Sequence, residues 1–306
     1  MKCTIRCIHT RRKPTRDARS RLRLALMWLT LLRSCFRRAP SSHPAGAGSA
    51  TLMCCPVCEE AAPLLDRLDF NKSCEEARGK RLPRSGTLVD YHLCESCGFC
   101  FAPQFREWDR ARFAQDIYND DYVEVDPDYV DARPRASAAA LIPLIGDRAA
   151  AIRHLDYGGG SGMLSALLRE AGWQSTSCDP YADAHFSPGA LGRYDLITAF
   201  EVFEHVPDVQ GLMSNLASLL EQPGLVLFST LVSDGHVAPG RPLDWWYAAP
   251  RNGHVSLFSR RSLAVLGRAH GYSFGSLSDN FHAYWKEIPE WAPSPFQDLR
   301  ISEPAA

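Results

Sequence analysis

Apolar runs of strand length alternate with amphipathic helical segments over the second half of the chain. One apolar run ends at residue 157, residues 163–172 repeat apolar positions at helical spacing, and residues 172–178 form the next strand segment. The same order returns between residues 193 and 230. Continuous apolar strands separated by helices are typical of a sheet that is covered on both faces. The pattern predicts an α/β fold with a Rossmann-like, mostly parallel sheet.

A glycine-rich turn joins the first of these strands to the first helix. Its glycines are Gly158, Gly159, Gly160 and Gly162. Glycine accepts positive φ and has no Cβ, so the backbone can lie close to a bound nucleotide-like ligand. A tight structural turn has the same composition and is the alternative interpretation.

An acidic residue ends the second strand segment. Asp179 follows residues 172–178 at about the spacing at which an acid accepts hydrogen bonds from ribose hydroxyls. We therefore expect Asp179 to bind ribose. A turn residue before Pro180 is the alternative interpretation.

The glycine turn resembles the first motif of the class I S-adenosylmethionine-dependent methyltransferases, in which an acid stands two residues before a Gly-x-Gly-x-Gly run. Asp156, Gly158, Gly160 and Gly162 match that motif. Dehydrogenases that bind a pyrophosphate more often have Gly-x-Gly-x-x-Gly and no acid at the strand end. The resemblance implies that S-adenosyl-L-methionine binds here and that Asp156 orders the turn and the methionine end of the cofactor.

Two carboxylates and a histidine follow the strand expected over residues 193–200. Glu201, Glu204 and His205 match the Glu-Val-x-Glu-His-Val pattern that recurs in small-molecule methyltransferases of this class. The resemblance implies that this segment lies beside the cofactor, with Glu201 in contact with it and with Glu201 and His205 as candidate bases. The ordinary start of a helix is the alternative for Glu204 and His205, because carboxylates suit a positive helix N-terminus.

An aromatic-rich segment without a regular pattern, residues 231–250, follows the last expected strand. Aromatic side chains in a loop suggest a substrate lid. His254, just beyond this segment, is the third candidate base or substrate contact. A histidine that only caps the next helix, over residues 260–271, is the alternative.

Two Cys-x-x-Cys pairs, Cys55 with Cys58 and Cys94 with Cys97, are the second chemical signal. Each pair can direct two thiolates toward one point, the arrangement of structural four-cysteine zinc sites. A redox pair is the competing explanation for a single Cys-x-x-Cys. Two pairs in one segment favour a structural zinc ion.

Such a module ahead of a class I domain resembles the sugar C-methyltransferases and their relatives in glycan and natural-product pathways. Tyr118 and Tyr122 match a Tyr-x-x-x-Tyr stretch of these relatives, and the order of parts agrees over residues 55–290. The chain departs from the family between Asp179 and Asp195, where about fifteen residues are too few for a complete helix and third strand. We therefore do not expect an adenine-contacting acid on that strand.

The first 52 residues differ in composition from the rest. They contain two lysines and ten arginines against Asp17 alone, net +11, so the remainder carries −12 to reach the overall −1. We expect a disordered basic lead over residues 1–52, whose apolar stretch is too short to span a bilayer. A transit peptide, a nucleic-acid arm and translation from a start codon upstream of Met53 are the open interpretations, and the last is favoured.

The other domain boundaries follow from these segments. We expect residues 53–130 to form the zinc-binding module and a linker helix, residues 131–290 the Rossmann-like methyltransferase domain, and residues 291–306 a flexible tail. An apolar content of 45% over 306 residues allows a sizeable core. Eleven cysteines, four of them in metal-binding spacing, suit the reducing cytoplasm better than a disulfide framework.

These features predict a methyltransferase that uses S-adenosyl-L-methionine to methylate a small molecule, with a nucleotide-linked sugar or glycan precursor as the expected acceptor. No membrane partner is expected. Nucleic acid is disfavoured as a partner because the chain beyond the lead is acidic. Two alternatives stay open: a ribosomal-RNA methyltransferase, which a basic stripe would support, and a zinc-stabilised binding protein without catalysis.

Overall fold

The computed structural model describes residues 52–183 and 186–298. Within these ranges the chain forms eleven strands in two sheets and seven α-helices. The strands are β1 Leu52–Cys54, β2 Ala61–Asp69, β3 Leu88–Leu93, β4 Cys100–Phe101, β5 Arg153–Tyr157, β6 Gln174–Cys178, β7 Tyr194–Phe200, β8 Leu220–Ser229, β9 Ser256–Leu257, β10 Ser273–Ser276 and β11 Phe281–Trp285. The helices are α1 Arg110–Asp116, α2 Ala132–Ile145, α3 Met163–Glu170, α4 Pro188–Leu191, α5 Val209–Leu219, α6 Arg260–Ala269 and α7 Ser294–Gln297.

Six strands form the larger sheet in the order β10-β11-β8-β7-β5-β6. β6, β5, β7 and β8 run parallel, while β11 and β10 continue the sheet beyond β8 as antiparallel strands. The four parallel strands match the predicted Rossmann-like arrangement. The carboxyl ends of parallel strands lie at one edge of a sheet, so the segments that follow β5, β6 and β7 converge there.

Both faces of this sheet are covered, as the continuous apolar strands predict. Leu225 and Leu227 of β8 belong to a buried cluster that contains residues of α2 and α3. Val226 and Phe228 belong to another, which contains residues of α5 and α6. Successive side chains of a strand point to opposite faces, so α2 and α3 cover one face and α5 and α6 cover the other.

The connection from β6 to β7 is short, in agreement with the expected departure from the family. Among the described residues it contains only the four-residue helix α4, and β6 lies at the edge of the sheet. Residues 184 and 185 lie outside the described ranges. The sheet of the described chain therefore has no strand where an adenine-contacting acid beyond Asp179 would be placed.

The smaller sheet has the order β1-β2-β3-β4-β9 and is antiparallel throughout. Its last strand comes from the far end of the chain, because Phe101 of β4 pairs with Ser256 of β9 and Cys100 with Leu257. The first module, expected to end at residue 130, is therefore completed by residues of the methyltransferase segment.

Regular structure extends past two of the expected domain boundaries, at residue 52 and beyond residue 290. Leu52, expected in the lead, begins β1, whereas residues 1–51 lie outside the described ranges. Ala292 and Phe296, expected in a flexible tail, are buried at 2% and 0% exposure against the larger sheet, and residues 299–306 are not described. No helix in residues 52–183 and 186–298 is long and apolar enough to cross a membrane.

Candidate functional site

The glycine turn follows β5 and packs closely on its neighbours. A Cβ on Gly159 would lie 2.4 Å from Oδ2 of Asp156, and one on Gly158, whose φ is 75°, would lie 2.5 Å from a methyl group of Val202. Gly160 and Gly162 also have positive φ. Lack of space therefore excludes a side chain at Gly158 and at Gly159. At Gly158 the positive φ disfavours one as well.

Asp156 lies beneath this turn, at 3% exposure. Its Oδ1 accepts a hydrogen bond from the Thr198 hydroxyl at 3.1 Å, while Oδ2 is buried without a hydrogen-bond partner. Burial raises the pKa of Asp156 to about 7. A buried acceptor without a partner suits a site at which a polar ligand contributes the missing donor.

A hydrogen-bonded chain runs from Asp156 across the sheet. Nε2 of His154 lies 2.9 Å from Oγ1 of Thr198, and Nδ1 lies 2.8 Å from Oγ of Ser175. Because the Thr198 hydroxyl donates to Asp156, Nε2 of His154 must donate to Thr198, which leaves Nδ1 to accept from Ser175. Burial lowers the pKa of His154 to about 3, consistent with this neutral form. No motif or pattern in the sequence predicts this series of hydrogen bonds.

Asp179 at the end of β6 is engaged by three backbone amides. Oδ2 accepts from the N–H of Gly160 at 3.0 Å, and Oδ1 accepts from those of Tyr181 at 2.8 Å and Ala182 at 3.1 Å. Asp179 thus stabilises the turn at Pro180, which is the role that the alternative interpretation gives it. A carboxylate has about four acceptor positions, so one remains for a ligand hydroxyl.

Glu201 follows β7 with a φ of 53°, a left-handed conformation that is uncommon outside glycine. Its backbone N–H donates to Oγ of Ser229 at 2.8 Å, and that hydroxyl donates to Oε1 of Glu201 at 2.7 Å. Arg133 of α2 pairs with Asp126 through two bonds of 2.8 and 3.0 Å. Burial opposes the charge of Arg133, but Glu201 and Asp126 outweigh it and raise the pKa of that guanidinium.

Glu204 lies in the 3-10 turn Phe203–His205 and is completely buried. Its Oε1 accepts a hydrogen bond from the Tyr247 hydroxyl at 2.7 Å, and Oε2 has no hydrogen-bond partner. Burial and the nearby charge of Glu201 raise the pKa of Glu204 to about 8. The alternative interpretation, an acid at a helix start, is met in part, because Glu204 lies in the first turn of this short 3-10 helix. The α-helix α5 begins later and is capped by Asp208.

His205 and His254 are brought together beside Glu204. Their ring centroids lie 4.9 Å apart, and Nε2 of His205 lies 4.0 Å from Oε1 of Glu204. Burial lowers the pKa of His205 to about 4, and burial together with His205 lowers that of His254 well below its usual value. One potential ligand atom from each of the three residues lies within 4.8 Å of the others, an arrangement that could hold a metal ion.

Tyr247 organises this triad. Its hydroxyl binds Glu204, and its carbonyl oxygen lies 2.8 Å from Nδ1 of His254. The helix α6 that follows is capped by Ser259 and not by His254. Sequence analysis indicates Tyr247 only as part of an aromatic loop and Glu204 only as a motif position, because the contacts between residues 204, 247 and 254 depend on folding.

The aromatic loop is packed into the molecule. Trp245 and Tyr247 are buried in a cluster with residues of the first module. The Lys72 ammonium donates to the carbonyl oxygen of Trp245 at 2.7 Å and also to that of Ala248. The suggested lid is thus held at both ends of its aromatic stretch.

The four predicted zinc ligands form one cluster. The Sγ atoms of Cys55 and Cys97 lie 3.7 Å apart, those of Cys58 and Cys94 lie 3.4 Å apart, and all four lie within 4.8 Å of one another. Tetrahedral coordination at about 2.3 Å per bond implies sulfur separations of about 3.8 Å. Hydrogen bonding from Cys97 lowers the pKa of Cys55. The donor set fits a zinc ion.

The two Cys-x-x-Cys turns share one backbone geometry. In the first, Cys55 N–H donates to Glu60 O, and Glu59 N–H donates to Cys55 O, both at 2.9 Å. In the second, the corresponding bonds join Cys94 with Phe99 and Gly98, at 2.9 and 2.7 Å. Glu59 and Gly98 both have positive φ. The chain thus presents two equivalent turns to one centre, as a four-thiolate site requires. Cys54, Cys74 and Cys100 lie outside the cluster.

Residues 129–276 match the model of a family described as "Methyltransferase domain". They include the glycine turn, Asp179 and the triad. The match supports an α/β methyltransferase domain over these residues.

Curated relatives are similar over part of the chain. The ubiquinone biosynthesis O-methyltransferase of Burkholderia ambifaria (strain MC40-6) is 33% identical over 102 residues, covering 26% of this chain and 44% of the relative. That of Coxiella burnetii (strain Dugway 5J108-111) is 32% identical over 99 residues, covering 25% and 42%. The chain thus spans less than half of the length of these relatives.

Solved structures show a weaker likeness. The pyocyanin biosynthetic protein PhzM has a TM-score of 0.38 at 15% identity, over 58% of this chain and 64% of that one. An O-methyltransferase family protein from Burkholderia thailandensis has a TM-score of 0.38 at 16% identity, over 61% and 70%. Similarities of this size support no statement about the activity of this chain.

Proposed function

We propose that this protein is an S-adenosylmethionine-dependent methyltransferase that acts on a hydroxyl group of a small molecule. The observation that carries the proposal is the glycine turn over Asp156, which lies inside the matched methyltransferase domain and leaves Oδ2 of Asp156 without a partner. The names of the curated relatives favour oxygen as the acceptor atom. The resemblance of the cysteine module favours a nucleotide-linked sugar or glycan precursor as the acceptor.

The cofactor would lie on the carboxyl ends of β5, β6 and β7. Gly158, Gly160 and Gly162 would let the backbone approach it, Asp156 would accept a hydrogen bond near its methionine end, and the free position of Asp179 would bind ribose. Bound there, S-adenosyl-L-methionine supplies an electrophilic methyl group on a sulfonium. The protein then has to hold the acceptor in line and exclude water.

Three residues are candidates for contact with the reacting groups. Glu201 would lie at the edge of the cofactor site, whereas His205 and His254 form the triad with Glu204. The burial that keeps both imidazoles neutral leaves each with a lone pair that can accept a proton or bind a metal. We propose Glu201, His205 and His254 for these roles.

The cysteine cluster is proposed to bind structural zinc. The support is the four-thiol geometry and the pair of equivalent turns. A ribosomal-RNA substrate is not favoured, since residues 53–306 carry a net charge of −12. The proposed compartment is the cytoplasm, where reduced thiols persist.

Calorimetric titration of S-adenosylmethionine and S-adenosylhomocysteine tests the cofactor site. We expect micromolar binding to the full chain. Gly158→Ala should weaken binding at least about tenfold, since the new methyl group meets Val202 at a positive φ. Gly189→Ala is the matched control, because a Cβ there meets nothing within 4 Å. Absence of binding to the folded unsubstituted protein would favour a non-catalytic, metal-stabilised protein.

A further inference from the structure

We infer that Glu204, His205 and His254 bind one divalent transition-metal ion, at a second metal site separate from the four cysteines. The inference about the metal stands on the triad itself. Its role in methyl transfer rests on the proposed function.

The triad has donors that the protein leaves unused. Oε2 of the completely buried Glu204 has no hydrogen-bond partner, and neither has Nδ1 of His205. A buried carboxylate oxygen without a donor is unfavourable, so a fold retains it where a ligand satisfies it. One potential ligand atom from each of the three residues lies within 4.8 Å of the others, so a cation between them could bind all three side chains.

The surrounding residues orient two of the three donors as metal ligands are usually oriented. The Tyr247 carbonyl can only accept a hydrogen bond, so Nδ1 of His254 carries the proton and Nε2 keeps its lone pair. The Tyr247 hydroxyl holds Oε1 of Glu204 at 2.7 Å. A carbonyl behind a histidine and a donor behind a carboxylate are the common supports of metal ligands.

The backbone keeps the two ligand-bearing segments together. Val255 N–H donates to the carbonyl oxygen of Glu204 at 2.8 Å, and the Ser256 hydroxyl donates to that of Val206 at 2.8 Å. His254 is thereby fixed beside residues 204 and 205 by bonds that do not involve its own ring. These two bonds hold the turn that carries Glu204 and His205 against the loop that carries His254.

The donor set selects the class of metal. Two imidazoles and one carboxylate suit first-row ions such as Fe²⁺, Co²⁺ and Zn²⁺ better than Mg²⁺ or Ca²⁺, which prefer oxygen ligands. Three protein ligands leave coordination positions open for a substrate atom. The site also differs from the cysteine cluster, whose four thiols leave none.

The location connects the site to the acceptor. Glu204 and His205 closely follow Val202, and a methyl group of Val202 lies where a Cβ on Gly158 of the glycine turn would meet it. A metal here would lower the pKa of an acceptor hydroxyl and allow it to react at neutral pH. The hydroxyl proton passes to water, its oxygen forms a bond to the methyl carbon, and the carbon–sulfur bond breaks with its electron pair remaining on sulfur.

Titration with Co²⁺ of the full chain, with the cysteine cluster already filled with zinc, tests the site. We expect one Co²⁺ per chain with an absorption spectrum that lacks thiolate charge-transfer bands. Glu204→Gln, His205→Gln and His254→Gln should each raise the dissociation constant at least about tenfold, and Tyr247→Phe about tenfold or more. His270→Gln is the control, because His270 bonds to Gln210 and lies outside the triad.

Thermal unfolding of each variant shows whether it folds, and Glu204→Gln, which keeps the size of the side chain, is the decisive substitution. Equal Co²⁺ affinity in folded Glu204→Gln, or no Co²⁺ bound by the unsubstituted protein, would overturn the inference in favour of a buried polar cluster. Cobalt binding without binding of S-adenosylhomocysteine would contradict the proposed function and leave the metal site intact. Binding of S-adenosylhomocysteine without binding of cobalt would contradict the metal site and leave the proposed function intact.

Discussion

At the scale of single residues, the buried carboxyl group of Asp156 has no full set of partners. It bonds to Thr198 through one oxygen only, and burial raises its pKa to about 7. The sequence indicated Asp156 by its position before the glycines. It could not indicate the support from Thr198 and His154, because these residues come together only when β5 and β7 pair.

Asp156→Asn should change how stability depends on pH. The pKa of Asp156 is raised from 3.8 to about 7, so between these values the folded protein holds a proton that the unfolded chain has released. The stability of the unsubstituted protein should therefore fall, relative to Asp156→Asn, by about 2 kcal/mol from pH 5 to pH 7 and level off above. Urea unfolding of both proteins across this range measures it. A difference that is constant with pH would contradict the shifted pKa.

At the scale of elements, the N-terminal caps of α5 and α6 make different hydrogen bonds. Asp208 caps α5 by accepting from Gly211 N–H at 3.0 Å. Ser259 caps α6 in a reciprocal arrangement with Ser262 and also donates to the carbonyl oxygen of Cys97 at 2.7 Å. The second cap thus ties a helix of the larger sheet to a cysteine turn. The polar residue before each helix predicts a cap, whereas the extra bond to Cys97 depends on tertiary contact.

Ser259→Ala should therefore destabilise the protein more than Asp208→Ala. Loss of a cap costs about 1 kcal/mol, and loss of the buried hydrogen bond to Cys97 adds about 1 kcal/mol. We expect urea unfolding to show a decrease in the free energy of unfolding of about 2 kcal/mol for Ser259→Ala. For Asp208→Ala, which removes an exposed cap, we expect a decrease of about 1 kcal/mol. Equal losses would show that the bond to Cys97 contributes nothing.

At the scale of the whole molecule, the two sheets share their chain and their core. β9 completes the smaller sheet. Cys55, Cys94 and Cys97 belong to the same buried cluster as strand residues of the larger sheet. The Lys72 side chain binds the aromatic loop that precedes His254. The cysteine module therefore supports the triad through this loop, and it is not an independent unit.

Cys97→Ser should lower the stability of the entire described fold. Loss of one of the four thiolates weakens the proposed zinc site, and we expect the free energy of unfolding to fall by at least about 3 kcal/mol. The far- and near-ultraviolet circular dichroism signals should shift together, in one transition. Cys54→Ser is the control, because Cys54 is exposed and outside the cluster. Two separate transitions would contradict the shared core, and unchanged zinc content would contradict the assigned ligands.

The sequence by itself determined the order of strands and helices over residues 154–230, the glycine turn and the four cysteines, because these depend on local periodicity and on short spacing. The strands of the smaller sheet and the antiparallel strands β10 and β11 were not predicted. Tertiary structure decided the triad of Glu204, His205 and His254. His254 lies 49 residues beyond His205 in the sequence, and it meets the other two residues only through the pairing around β9. Folding also decided which carboxylate joins the two histidines. Glu201 turns to Ser229, while Glu204 enters the protein interior, where burial gives it a pKa of about 8.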